Sequence, residues 1–284
     1  MSRSLSNTTR RTYFSNPLIE ESLRFLPAAL TCPTTDAFRD YLAERLPQNS
    51  RKTRERFAEY IAHRFSTDGV MNRVLAAAID TYGDSPTGRE ILYFELLQAV
   101  PLLQEVASVW LSELPPEGVP RAHLLGFLTA RIAGRNADRI AKDVMTAFRR
   151  CGKAQSPRPG SYVPLWTEPP QASFLYVLAR LYPQREMVRV DTFAGLPVVR
   201  GMLWSRTAID TRLKAALSEG YVSRLSELDQ YRQFTLEGDG EERLRRLLGD
   251  RIGPLNPEAP VGTQMPQTTP PADRQIDLPL GSKQ

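Results

Sequence analysis

Apolar residues recur along most of this chain at the period of a helix, and the clearest such stretch is residues 205–236, SRTAIDTRLKAALSEGYVSRLSELDQYRQFTL. Ile209, Leu213, Ala216 and Leu217 fall at i, i+4, i+7 and i+8, which makes one apolar stripe. Thr207 followed three residues later by Asp210 has the form of a capping box and predicts a helix start near Ala208. Gly220 stands where a left-handed residue ends a helix. Beyond it, residues 221–225 and 231–236 hold β-formers in partial alternation around a polar connection, a hairpin pattern. A capped helix feeding a hairpin is the skeleton of a winged-helix unit.

Read from its beginning, the chain opens with Ser, Thr, Asn and Arg and shows no periodicity before Leu18, which predicts a basic arm. Leu18, Ile19, Leu23, Phe25 and Leu26 then predict a short helix stopped by Pro27. Thr35 or Asp36 would cap a second helix through Phe38, Tyr41, Leu42 and Leu46, stopped by Pro47. Ser50 opens a longer one with Phe57, Ile61 and Phe65 at i, i+4 and i+8, and a closing helix is predicted over 70–82. Residues 89–114 are the most hydrophobic segment and read as a central buried helix that Pro101 kinks or splits.

After Pro115 and Pro116 a helix pair is predicted over 121–132 and 137–151. It turns through Gly134, with Asn136 as the cap and Gly152 as the stop, in the manner of a helix-turn-helix. Residues 153–166 read as a wing with Arg158 at its tip, although its prolines disfavour a regular strand. A helix over 174–182, a β-like or irregular link over 187–199, the 205–236 module and a terminal helix over 238–248 follow. Seven prolines after residue 250 predict a disordered tail. The expected fold is mainly α, a helical bundle with helix-turn-helix or winged-helix-like units and one or two short β-hairpins. The expected division is a flexible basic arm over 1–16, a helical bundle over 17–114, a helix-turn-helix-like unit over 115–170, a winged-helix-like unit over 171–248 and a Pro-rich tail over 249–284.

Composition narrows the function classes. The 284 residues are 41% hydrophobic, enough for a real core, and carry a formal charge of +5. Charge is unevenly placed: residues 121–153 hold eight basic side chains (Arg121, Arg131, Arg135, Arg139, Lys142, Arg149, Arg150, Lys153) against Asp138 and Asp143, a surplus greater than that of the whole chain. On the helix over 137–151, Ile140, Val144, Ala147, Phe148 and Cys151 fall on one side and Arg139, Lys142, Thr146, Arg149 and Arg150 on the other. Long cations on one helix face suit the phosphates of duplex DNA, and Arg135 or Asn136 at the helix start would approach base edges. The bland alternative is a solvated helix face. Arg51, Lys52, Arg54 and Arg56 crowd the first turns of another helix, where they oppose its dipole and call for an anion. Phosphate would supply that anion, and so would Glu55, Glu59 and solvent. Arg206, Lys214 and Arg224 on the 205–236 module form a weaker basic set.

Cys32 and Cys151, with no signal-peptide pattern, fit buried thiols in a reducing cytoplasm. No apolar run approaches the roughly 20 residues of a membrane helix, so no membrane partner is expected. His63 and His123 are remote from each other, and there is no zinc spacing, phosphate loop or nucleophile elbow. No metal, cofactor or enzymatic activity is therefore expected.

Three segments together resemble a known family: NSRKTRERFAEYIAHRF at 49–65, REILYFELLQAVPLLQEVASVWL at 89–111 and NADRIAKDVMTAFRRCGKAQ at 136–155. In this order, over roughly residues 10–235, the chain is similar to the BrxA proteins of bacterial BREX phage-defence systems. The resemblance implies a cytoplasmic, non-enzymatic, DNA-binding accessory factor that works beside other BREX components, including a methyltransferase. The basic segments at 51–56 and 135–150 match regions where that family is basic, and the tail beyond residue 250 is longer than the family's pattern. Two other classes stay open on sequence grounds. One is a protein-interaction scaffold whose basic residues meet acidic surfaces; the other is a winged-helix transcriptional regulator.

Overall fold

The computed structural model describes residues 16–132, 136–226 and 232–252. It shows one motif three times, a helix pair followed by a β-hairpin. In the first, α1 (Ile19–Phe25) runs through a 3-10 segment into α2 (Thr35–Arg45) and α3 (Arg51–Arg64), and a two-strand hairpin follows, β1 (Ser66–Thr67) and β2 (Val70–Met71). Asp68 and Gly69 form its turn with φ of 51° and 80°, the positive pair that a two-residue hairpin loop requires. The sequence reading places Val70 in a helix. Its backbone is instead paired with Thr67, and α4 (Arg73–Tyr82) begins after Asn72, whose side chain accepts from the Leu75 N–H at 3.0 Å.

α5 (Pro86–Ala99) is the central helix, and Pro101 splits the hydrophobic segment as expected. α6 (Pro101–Glu105) passes into a π segment, Val106–Trp110, and a final 3-10 turn. The second motif is complete: β3 (Val119–Pro120), α7 (Arg121–Thr129), α8 (Ala137–Arg150), β4 (Ala154–Gln155) and β5 (Ser161–Pro164), with the sheet in the order β3-β5-β4. The prolines do not prevent a wing. Pro164 lies opposite Ala154 and Pro120 opposite Ser161, in strands so short that few ladder bonds are forfeited.

The third motif repeats that order. α9 (Gln171–Leu181) leads to β6 (Met187–Arg189), the short helices α10 (Val190–Gly195) and α11 (Pro197–Gly201), then α12 (Arg206–Ser218), β7 (Val222–Ser226) and β8 (Gln233–Leu236), with the sheet ordered β6-β8-β7. The sequence reading of 187–199 as a β-like or irregular link holds at its start, where Val188 pairs with Phe234, and misses the helices α10 and α11 that follow. α13 (Gly240–Leu248) closes the chain, and its buried Arg243 donates to the carbonyls of Glu237, Gly238 and Tyr182. Residues 249–252, expected in the tail, form a 3-10 turn tied to α4 by Arg251 and Asp80 at 3.2 Å; the expected tail from 253, the basic arm over 1–15 and Gly134 lie outside the described residues.

Several helix caps move by a residue or two. Ser205, not Thr207, caps α12 by accepting from the Ala208 N–H at 3.1 Å, and Asp210 instead binds Arg232 at 2.8 Å. Thr34 caps α2 by accepting from Ala37. Asn136 and Ser50 stand at the starts of α8 and α3, but neither side chain makes a cap hydrogen bond.

The core is centred on α5, whose Ile91, Leu92, Tyr93, Phe94 and Leu97 are fully enclosed. The Tyr93 hydroxyl donates to the Gly201 carbonyl at 3.0 Å. A side chain at Gly201 would stand 3.1 Å from both Ala107 and Leu97, so this glycine lets α11 lie close to α5. Glu90 and Glu95, whose charge argues against a membrane span, are buried here, each with polar partners from other elements. Glu95 accepts from Asn72 at 2.9 Å, Tyr176 at 2.7 Å and Arg180 at 2.9 Å, which joins the first motif to the third. Such satisfaction is what a buried carboxylate needs.

Candidate nucleic-acid interface

In both complete winged-helix motifs the helix before the wing ends in the same way. Cys151 and Glu219 close α8 and α12, and Gly152 and Gly220 follow with φ of 69° and 73°. The next N–H, of Lys153 or Tyr221, reaches back to Phe148 or Ala216 at 2.7 and 2.9 Å. This is the Schellman arrangement, and it turns the chain from recognition-position helix into wing. The two helices are thus set up alike, and their side chains decide what each can do.

α8 divides as its periodicity predicts. Ile140, Val144, Ala147, Phe148 and Cys151 are buried, while Arg139, Lys142, Arg149 and Arg150 are exposed. Its acidic residues are engaged elsewhere: Asp138 pairs with Arg121 at 2.6 Å, and Asp143 accepts from the Asn16 N–H at 3.2 Å. Asp143 also lies beside Arg64 of α3, whose guanidinium burial pushes down to about 10 while the carboxylate works against that shift.

The eight cations of residues 121–153 therefore separate by role. Lys153 is fully buried against Glu90 at 2.7 Å; Arg131 pairs with Glu105 at 2.6 Å and Arg150 with Glu20 at 3.0 Å. Arg135 lies outside the described residues. Arg139, Lys142 and Arg149 remain, exposed and without an ion pair among the described residues. Lys142 and Arg149 line a groove of about 500 Å³ between α8 and the wing, lined also by the paired Arg121 and Asp138 and by Ser156 and Tyr162. Arg158 is exposed near the wing's tip. Lys142 and Arg149 make the α8 wall of this cleft positive, which fits a polyanion's ridge.

The other candidate residues are differently placed. On α3, Arg51 pairs with Glu55 at 2.8 Å, and Arg54 donates to the carbonyls of Ala43, Gln48 and Asn49. In place of the expected anion, Arg54 thus meets neutral carbonyls at the end of α2 and in the loop after it, whereas Lys52 is exposed. On α12, Arg206 pairs with Asp191 and Arg212 with Glu168; Lys214 is exposed but has a partner, and Arg224 is exposed on β7. An exposed pair is worth only about 0–1 kcal/mol, so these cations are less available than those of α8 but not locked. Cys151 is buried as expected; Cys32 is half-exposed.

Sequence reasoning misses the part that Lys153 and Glu90 play, because a lysine just after a helix-ending glycine reads as surface charge. The available signal was the pair of carboxylates, Glu90 and Glu95, set within the hydrophobic segment 89–114, where they require partners.

Fold and site together define a tandem winged-helix protein with a basic groove on its second motif. No family model matches the chain, and no curated protein does. Two solved structures are similar to it. One is a crystal structure of SspB, with a TM-score of 0.57 and 16% identity over 87% of this chain and 90% of that one. The other is magnesium-ion-bound SspB, with a TM-score of 0.57 and 15% identity over 89% and 92%. At such identity the likeness is one of fold. Among the described residues no group of three or more His, Cys, Asp or Glu side chains is placed to hold a metal, and no helix is long and apolar enough to cross a membrane.

Proposed function

We propose that the chain is a non-enzymatic protein that binds duplex DNA mainly through phosphate contacts, as an accessory factor of a bacterial BREX phage-defence system. The observation that carries the DNA reading is the set of exposed cations, Arg139, Lys142 and Arg149, two of them on the wall of the groove between α8 and its wing. Their basic ends project from a helix anchored by buried apolar residues, so the backbone need not rearrange to present them. Arg206, Lys214 and Arg224 of the third motif add a weaker contact. The BREX assignment rests on the resemblance of residues 49–65, 89–111 and 136–155 to BrxA proteins.

The three phosphate contacts of α8 alone give a salt slope of roughly −3, a fall of about 40-fold in affinity between 50 and 200 mM salt, and the contacts of the third motif steepen it further. Fluorescence anisotropy on random duplex DNA at both salt concentrations measures this, and no binding at low salt refutes the DNA reading. Arg139→Glu with Arg149→Glu is expected to abolish binding while leaving the circular dichroism spectrum intact. Unchanged affinity in that double variant moves the site elsewhere.

A further inference from the structure

The end of α8 and the start of α12 meet at one ammonium group. Lys153 is the residue that closes the Schellman turn of α8 through its N–H, and its carbonyl accepts from Leu165 at 2.9 Å, next to the wing strand. Its Nζ donates to Glu90 Oε1 at 2.7 Å, to the Met202 carbonyl at 2.8 Å and to Thr167 Oγ1 at 3.1 Å. Those are three acceptors for three N–H bonds. The same Glu90 oxygen accepts from the Trp204 indole. Between Met202 and Trp204, Leu203 is held at φ 53°, a conformation that costs a non-glycine residue of order 1 kcal/mol, and Thr167 N–H binds its carbonyl at 2.9 Å. Ser205, the cap of α12, comes next.

A wholly buried ammonium loses several kcal/mol of hydration, and apolar residues of similar volume are often as stable in its place. The pair therefore contributes little net stability that leucine and methionine would not. What those residues lack is direction: four hydrogen bonds on two charged groups specify how the Met202–Ser205 turn sits against the end of α8.

We propose that Glu90 and Lys153 are positioning residues that hold the two recognition-position helices, α8 and α12, in one fixed relation, so that a duplex seated on α8 meets Arg206 and Lys214 of α12 without further ordering. The DNA consequence rests on the proposed function; the geometric claim does not.

The test uses Glu90→Leu with Lys153→Met, which removes both charges together. Spin labels at Thr146→Cys and Ser218→Cys, in a Cys32→Ser background, report the distance between the helices by pulsed electron resonance. The parent protein should give one narrow distance, and the double variant a broadened or shifted one at unchanged circular dichroism. In anisotropy, the magnitude of the salt slope should fall by about 2, the share of Arg206 and Lys214. A narrow, unshifted distance in the folded double variant overturns the proposal, as does an altered distance with an unchanged slope. If the parent protein binds no DNA, the proposed function falls and the label distance alone decides the geometric claim. Should the double variant not fold, Glu90→Gln, which keeps the side-chain volume and an acceptor for Trp204, is judged by the same distances.

Discussion

At the scale of single residues, position relative to the core decides what a charged or reactive group can do. Cys151 closes α8 with its thiol buried, and burial pushes it up to about 12 although the nearby Lys153 ammonium works in the opposite direction. The unfolded thiol titrates near its ordinary 9, so it stabilises the fold fully below that pH, and the contribution is lost as pH rises from 9 to 12. The loss reaches about 1.4 kcal/mol per pH unit. Urea midpoints of the parent and of Cys151→Ala should accordingly converge between pH 8 and pH 10.5; a constant gap would contradict the buried thiol. Tyr93 and Tyr176, also raised by burial, are common to both proteins and cancel. Residue type and spacing were enough to foresee the exposed set on α8, because i, i+3, i+4 periodicity alone assigns faces. They were not enough to foresee that Arg54 and Lys153 point inward, since their acceptors, such as the carbonyls of Ala43 and Met202, come from other segments.

At the scale of elements, the caps show which local signals are sufficient. Glycine after a helix was legible at 152 and 220 because only a residue without Cβ takes positive φ freely. At Gly152 a Cβ would meet nothing within 4 Å, so Gly152→Ala isolates the backbone cost. It and Gly220→Ala should each lose about 1 kcal/mol, read as a drop of roughly 2–4 °C in Tm; an unchanged Tm at Gly152 would mean that the turn relaxes. The hairpin at Asp68–Gly69 carried a short-range turn signal that the apolar period of the next helix obscured. β6 was legible only as a β-like stretch, because a three-residue strand has too few positions to show alternation and its partner β8 lies more than 40 residues away.

At the scale of the molecule, the α8 groove and the α12 face differ in available charge, and the difference predicts unequal effects. Arg206→Glu with Arg224→Glu should weaken DNA binding by less than tenfold, whereas the corresponding pair on α8 abolishes it. Equal losses in anisotropy would show that the two motifs share the load. The mainly helical class and the winged pattern were visible in sequence, but not the threefold recurrence of the motif around α5, because the helices differ in length and the first hairpin lacks a third strand.

The buried Glu90–Lys153 pair on α5 also bears on how such a chain can diverge. Removing one member strands the other's charge in the interior at about 3–5 kcal/mol, a large part of the 5–15 kcal/mol that holds a typical fold together. Replacing both members at once is close to neutral. A lineage can therefore leave these positions only by coupled steps, and an ancestor carrying half of such a change would be the least stable protein on the path.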